Sequence, residues 1–180
     1  LAIIRLVARG TPLGQHPAPS HPRPDTRKGL PPVTSEDVFR SLHQAAQDGA
    51  GVKLFTISVI DRAAGLSRRA YTSHPDVYPV TGTKPLELDD WARHVIEGRK
   101  TFVANTTAEF ATLFFDHALI NALGCQSAVN IPVINGDEVV GTVNLLDVEG
   151  HFTPERLAGL EALVSGQSDE LIAALRGAKL

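Results

Sequence analysis

Three polar residues, Asn130, Thr142 and Asn144, interrupt two sequence runs that are otherwise almost wholly apolar, and Ser127 directly precedes the first run. Apolar runs of this kind predict strands that are covered on both faces of a sheet. A polar group inside such a strand costs free energy unless it is hydrogen-bonded. The pattern therefore indicates either bonds to neighbouring backbone or contacts with a small polar ligand.

A predicted hairpin must position these residues. The two runs cover residues 128–134 and 138–146, and they flank Asn135-Gly136. This dipeptide tolerates positive φ, which predicts a two-residue turn between two antiparallel strands. The length of that turn fixes which residues of the two strands face each other.

In the predicted register Asn144 lies opposite Ser127, and Asn130 lies opposite Gly141. Side chains alternate between the two faces of a sheet. Ser127, Thr142 and Asn144 are therefore expected to form one polar patch, with Asn130 on the opposite face. This patch is the predicted ligand-binding site.

The predicted wall of the site is aromatic. His94 shares a predicted helix with the single tryptophan, and His117 follows a possible helix cap at Asp116, so both histidines are candidates to face the ligand. The aromatic candidates are Tyr71, Trp91, Phe114 and Phe115.

The single cysteine, Cys125, excludes an intramolecular disulfide and leaves no cysteine cluster for zinc. It follows a predicted helix end, where the helix dipole disfavours a thiolate. An inert, partly buried thiol is expected, and a redox role is the alternative. The histidines show no metal-binding spacing, and we find no phosphate-binding glycine loop and no catalytic triad motif. We therefore predict no catalytic residue, metal or cofactor, and an enzyme is disfavoured.

Charge and composition narrow the function classes further. The 17 Lys and Arg residues nearly balance the 20 Asp and Glu residues, which disfavours nucleic-acid binding. No apolar run reaches the roughly 20 residues that span a bilayer. The single cysteine fits a reducing compartment, so we expect a cytoplasmic protein without membrane contact.

More than half of the 12 prolines lie in residues 1–32, which predicts an extended tail. This tail is either a linker or an arm that packs on a neighbouring subunit.

Residues 33–177 form the predicted domain. Its predicted elements are a helix capped at Thr34, a hairpin over 52–61 and 67–74, a helix from Asp89 to Gly98, a strand over 101–104, a helix capped by Asp116, the hairpin described above and a final helix that Thr153 and Pro154 begin.

This order of elements predicts an α+β fold with a mostly antiparallel sheet. Terminal helices would cover one face, and short helices and loops would close imperfectly over a pocket on the other face. The final helix carries an apolar stripe whose spacing favours a helix–helix seam. The stripe consists of Leu157, Leu160, Val164, Leu171 and Leu175.

Several of these segments together resemble a GAF domain, a small-molecule-binding fold related to PAS domains. They match a serine-led strand that ends near proline, a glycine turn, a strand with a glycine before an aliphatic-asparagine pair, and a phenylalanine before the last helix. The matching segments are residues 124–127, 130–133, 136–137, 140–145 and 152–155.

The resemblance implies a sheet of about six antiparallel strands, a pocket over one face, a sensory role and a homodimer built through the terminal helices. Free methionine sulfoxide reductases are enzymes on this fold, but their chemistry needs a second, resolving cysteine. The cysteine-histidine pair of bilin-binding members and the residue set of cyclic-nucleotide-binding members are absent.

We therefore predict a sensory module that binds a small organic ligand and signals through its terminal helices to a separate output protein. A redox enzyme of the sulfoxide reductase kind and a structural dimerisation module without ligand are the alternatives.

Overall fold

A six-stranded antiparallel sheet forms the centre of the fold, in a computed structural model that describes residues 32–178. The expected N-terminal arm, residues 1–32, lies outside the described residues except for Pro32. The spatial order of the strands is β3-β2-β1-β6-β5-β4. Their bounds are β1 Leu54–Asp61, β2 Leu66–Thr72, β3 Lys84–Pro85, β4 Phe102–Ala104, β5 Ser127–Asn135 and β6 Glu138–Asp147.

Six α-helices accompany the sheet in residues 32–178, and the second continues as a π-helical segment over Arg93–Glu97. None of them is long and apolar enough to cross a bilayer. Their bounds are α1 Ser35–Ala50, α2 Asp90–Ala92, α3 Thr107–Phe110, α4 His117–Ala122, α5 Pro154–Gly166 and α6 Ser168–Gly177. The predicted α+β architecture is confirmed.

Local sequence signals place the ends of the longest helices. Thr34 and Asp37 form a reciprocal capping box, with Asp37 N donating to Thr34 Oγ1 at 3.2 Å and Thr34 N donating to Asp37 Oδ2 at 2.9 Å. Thr153 caps α5, and Pro154 takes the first helical position. Asp116 occupies the predicted cap position at the start of α4, but its side chain does not cap the helix. Its carboxylate instead accepts the hydroxyl of Tyr78.

The three long helices cover one face of the sheet. Phe39 and Leu42 of α1 and the buried residues of α5 and α6 pack on Phe55, Val143 and Leu145 of the central strands. The predicted single final helix is divided at Gln167, which has the non-helical angles φ −110° and ψ 17°. Most of its leucine stripe packs within this chain against the core that includes α1, so the predicted helix–helix seam is intramolecular and these side chains are not available to the expected homodimer. The buried members are Leu160, Val164, Leu171 and Leu175.

The close packing of α6 on β6 depends on Gly141. A methyl group there would lie 2.6 Å from the carbonyl oxygen of Ser58 and 2.7 Å from Cδ1 of Leu175. Such distances lie inside van der Waals contact, so only glycine fits.

The predicted register of the β5–β6 hairpin was wrong. The turn residues are Gly136 and Asp137 rather than Asn135 and Gly136, and Gly136 has a φ of 63°. Positive φ at the first central residue alone is the pattern of a type II′ turn.

A bulge near the turn shifts the register again, because Val133 pairs with Gly141 while Ile134 pairs with Val139. As a result Asn130 lies directly opposite Asn144, and both side chains project from the face that the long helices leave uncovered.

Candidate ligand-binding site

A cavity of about 200 Å³ lies over that second face, where the short helices and the loop after β2 pass above the sheet. Its floor is polar and is built from side chains of β1, β5 and β6. The floor residues are Thr56, Ser58, Asn130, Thr142 and Asn144. Binding cavities usually measure about 300–1,000 Å³, so this one suits a small molecule.

Strand pairing brings the floor residues into two rows. Thr56 pairs with Asn144, which pairs in turn with Asn130, and Ser58 pairs with Thr142. The amide nitrogen of Asn130 donates to Oδ1 of Asn144 at 2.9 Å, and the amide nitrogen of Asn144 donates to the hydroxyl oxygens of Thr56 and Ser58 at 3.1 and 3.3 Å. One hydrogen-bonded relay therefore crosses three strands.

The hydroxyl of Thr142 is not part of this relay. Its side chain is 1% exposed, lines the cavity and makes no hydrogen bond to any residue in 32–178. Thr142 thus offers one donor and two acceptor positions to whatever occupies the cavity.

Trp91 connects the relay to the elements above the sheet. Its indole Nε1 donates to Oδ1 of Asn130 at 2.8 Å. The tryptophan is held there because Asp89 caps α2, accepting the amide of Ala92 at 2.7 Å. The single tryptophan of the chain is consequently in direct contact with the cavity floor.

Apolar side chains close the cavity from above. Leu113 and Phe114 follow α3, and Phe114 packs against Phe110 with ring centroids 5.3 Å apart. Phe115 also lines the cavity, yet it is 77% exposed and therefore lies at the mouth. Phe110 itself is fully buried beneath this wall.

Four charged residues line the remaining side, and they are Arg69, Lys84, Asp89 and Asp116. The guanidinium of Arg69 stacks over the ring of Tyr78 at 3.6 Å and donates to the carbonyl of Pro79 at 2.6 Å. The ammonium of Lys84 lies 4.7 Å from the centroid of Phe115. Burial, together with the neighbouring carboxylate of Asp116, raises the pKa of Tyr78, so its hydroxyl stays protonated and donates to that carboxylate.

Of the nine residues predicted for ligand binding, five line this cavity. They are Trp91, Phe114, Phe115, Thr142 and Asn144.

Tyr71 lies on the opposite face, where its hydroxyl is 3.0 Å from Nδ1 of His43 and its ring packs near Phe55. A bulge in β2 explains the difference. Ser58 pairs with Arg69 while Ile57 pairs with Tyr71, which leaves one extra residue between the two pairs and turns Tyr71 away from the cavity.

The two histidines and Ser127 also lie away from the cavity. His94 is exposed and contacts the carbonyl of Thr101 at 3.0 Å, and His117 contacts the carbonyl of Phe114 at 2.9 Å. Ser127 is fully buried, and its hydroxyl bonds the carbonyls of Asp147 and Val148 at 3.1 and 2.7 Å. The register error placed Ser127 in the patch.

Cys125 lies outside the cavity lining. It is fully buried among apolar side chains below α4, where burial and the negative charge of Asp147 raise its pKa to about 11. A thiol with that pKa is protonated at neutral pH and is a poor nucleophile. Residues 32–178 also contain no group of three or more His, Cys, Asp and Glu side chains that could hold a metal.

Sequence reasoning missed Asn130, Arg69 and Lys84 as cavity residues. Asn130 was identified as a buried polar residue but was assigned to the wrong face. Arg69 lies in a largely polar strand next to another arginine, and Lys84 lies in a segment that the sequence predicts to be a proline-rich loop. No local signal directs either cation to the cavity.

Comparison with known proteins is consistent with this architecture. Residues 33–168 match the family described as GAF domain. The chain belongs to the GAF domain family. The family comprises sensory and ligand-binding modules. No protein among the curated ones matches the chain.

Solved GAF domains share the fold at low sequence identity. The GAF domain of a sensor histidine kinase from Bacillus halodurans superposes with a TM-score of 0.65 at 12% identity, covering 80% of this chain and 97% of that one. The GAF domain/HD domain protein from Geobacter sulfurreducens gives a TM-score of 0.64 at 12% identity, covering 78% and 93%. The blue-light absorbing form of the PixJ GAF domain from Thermosynechococcus elongatus gives 0.58 at 12% identity, covering 79% and 85%. Likeness at this level of identity is evidence of a common fold only.

Proposed function

We propose that this GAF domain is a sensory module that binds a small organic molecule in the cavity over the sheet. The observation that carries the proposal is the polar floor of the cavity, where Thr142 makes no side-chain hydrogen bond to any residue in 32–178. The relay beside it supplies further acceptors on its amide oxygens and donors on the hydroxyl groups of Thr56 and Ser58. An apolar wall above a polar floor is the usual composition of a small-molecule site.

The strands under the cavity offer a route for the signal. Thr56 and Asn144 contact the cavity, while their chain neighbours Phe55 and Leu145 pack under the long helices on the other face. A ligand that shifts β1 and β6 would therefore shift the packing of α1, α5 and α6. A homodimer through these helices and a separate output protein are part of the proposal, as is the cytoplasmic location expected from the single cysteine. With the leucine stripe buried, the dimer would use the outer helix faces.

Thermal unfolding in the presence of a metabolite library tests the proposal. A ligand at 100 times its dissociation constant adds about 2.7 kcal/mol to the free energy of unfolding. Titration of any stabilising compound, followed by Trp91 fluorescence, gives its affinity.

The matched variant is Thr142→Val, which keeps the shape of the side chain and removes the hydroxyl. We expect it to fold normally and to weaken ligand binding by about fivefold, as for the loss of one hydrogen bond. If no compound stabilises the protein, the domain is a structural module and the proposal is wrong.

A further inference from the structure

We infer that the ligand is a small organic acid, with a flat apolar body under the aromatic wall and a carboxylate held by Arg69 and Lys84. This inference rests on the proposed function and specifies the chemical class of the ligand. It follows from the position of the charges around the cavity and from the partners that those charges already have.

Both cations lie on the same side of the cavity. Arg69 of β2 pairs with Ser58 of β1, and Lys84 of β3 pairs with Ser67, two residues before Arg69 in β2. Thr142 lies across β1 from Arg69, two strands away. Neighbouring strands are about 4.8 Å apart, so the backbones at Arg69 and Thr142 are roughly 10 Å apart. The cavity thus has a cationic end and an amide-and-hydroxyl end.

The two carboxylates of the cavity have donors within the protein. Asp116 accepts the hydroxyl of Tyr78, and Asp89 accepts the backbone amide of Ala92 at the start of α2. A helix N-terminus also stabilises a negative charge. Both carboxylates therefore hold neighbouring protein groups in place rather than Arg69 or Lys84.

Neither cation has a counter-ion among the described residues. Neither Arg69 nor Lys84 has a carboxylate within 4 Å in residues 32–178. Arg69 donates to the carbonyl of Pro79 and also hydrogen-bonds the side chain of Tyr78, whereas within residues 32–178 the ammonium of Lys84 contacts the ring of Phe115 and makes no hydrogen bond. A guanidinium has five N–H donors and an ammonium has three, so most of their donor capacity is unused within the described part of the chain.

The shape of the remaining walls favours a planar acid. Trp91, Leu113 and Phe114 provide apolar surface between the cationic end and the floor. Phe115 lies at the mouth beneath the ammonium of Lys84 and can cover the ring of a bound acid. A carboxylate at Arg69 would leave the opposite end of the molecule within reach of Thr142.

Three probes of nearly equal size test the inference, namely benzoate, benzamide and benzylamine. Each is titrated at millimolar concentrations against the whole chain, with Trp91 fluorescence and thermal unfolding as readouts. We expect benzoate to bind at least about fivefold more tightly than benzamide, which is the effect of a partly exposed charge pair of about 1 kcal/mol. Benzylamine should bind more weakly still, and the benzoate affinity should fall with added salt.

Lys84→Gln is the diagnostic variant because the Lys84 side chain is exposed and makes no hydrogen bond in the described chain, so folding should be unaffected. It should weaken benzoate binding severalfold and leave benzamide binding unchanged. Arg62→Gln is the matched control, since Arg62 is an exposed cation in the β1–β2 turn outside the cavity lining. It should change neither affinity.

Equal affinity for benzoate and benzamide would overturn the inference and leave the proposed function intact, as would preferential binding of benzylamine. If none of the three probes binds and the metabolite library yields a neutral or cationic ligand, the inference is wrong while the proposed function stands. Binding of no compound at all would overturn the inference and the proposed function together.

Discussion

Replacement of Asn130 by alanine should destabilise the domain more than its size suggests. The Asn130 side chain accepts from Trp91 Nε1 at 2.8 Å and donates to Asn144 Oδ1 at 2.9 Å and to the carbonyl of Val129 at 3.2 Å. Removal of the amide leaves Trp91 Nε1 and Asn144 Oδ1 without these hydrogen-bond partners, beside a largely apolar wall. A stranded buried group costs about 1–2 kcal/mol, so Asn130→Ala should lower the free energy of unfolding by about 2–4 kcal/mol.

Equilibrium urea unfolding, followed by circular dichroism and by Trp91 fluorescence, measures this change. Asn135→Ala is the matched control, because Asn135 ends the same strand and its side chain makes no hydrogen bond within residues 32–178. The control should stay within about 0.5 kcal/mol of the wild type. The double variant Asn130→Ala with Asn144→Ala should show a coupling of about 0.5–3 kcal/mol, since the two side chains bond each other.

The same cycle distinguishes the two registers of the hairpin. If Asn130 faced Gly141 on the helix-covered side, its replacement would not couple to Asn144. Equal effects of Asn130→Ala and Asn135→Ala, or additive effects of Asn130→Ala and Asn144→Ala, would refute the relay.

Three further predictions concern other parts of the fold. Gly141→Ala should lower the free energy of unfolding by about 1–3 kcal/mol in urea titrations, because the added methyl group overlaps β1 and α6. The control Gly159→Ala, which has open space at its Cβ, should raise the free energy of unfolding by up to about 1 kcal/mol. Equal effects of the two substitutions would contradict the packing of α6. Cys125 should react with Ellman's reagent at pH 8 only after unfolding, and rapid labelling of the native protein would contradict its burial and raised pKa. Burial lowers the pKa of His43 from 6.5, with a smaller contribution from His74, so the unfolded chain takes up the proton first as the pH falls. The contribution of neutral His43 to the free energy of unfolding is therefore complete above pH 6.5 and is lost as the pH falls through the pKa of the folded state. In unfolding curves recorded across this pH range, His43→Phe should show a correspondingly smaller decline in stability.

Much of the fold could be predicted because its signals are local. Thr34 with Asp37 and Thr153 with Pro154 start their helices through contacts within one turn, so the sequence alone identifies them. The continuous apolar character of β5 and β6 reflects burial on both faces, which predicted a sheet covered on two sides.

The candidate site was only partly predictable because membership depends on which way each strand residue points. A single extra residue reverses every later side chain in a strand. The bulges in β2 and in the β5–β6 hairpin do this at Tyr71 and Asn130, which the sequence assigned to the wrong faces. Neither bulge has a local signature, since each depends on how the strands settle against the rest of the core.

The sequence by itself therefore determined the family, the order of the elements, the two-sided sheet and the presence of buried polar groups. Only the tertiary structure decided which of those groups meet, because Asn130 finds Asn144 through strand pairing and Arg69 reaches the cavity from a strand on the far side of β1. Periodicity and caps act over a few residues, whereas register and the convergence of charges depend on contacts between segments far apart in the chain.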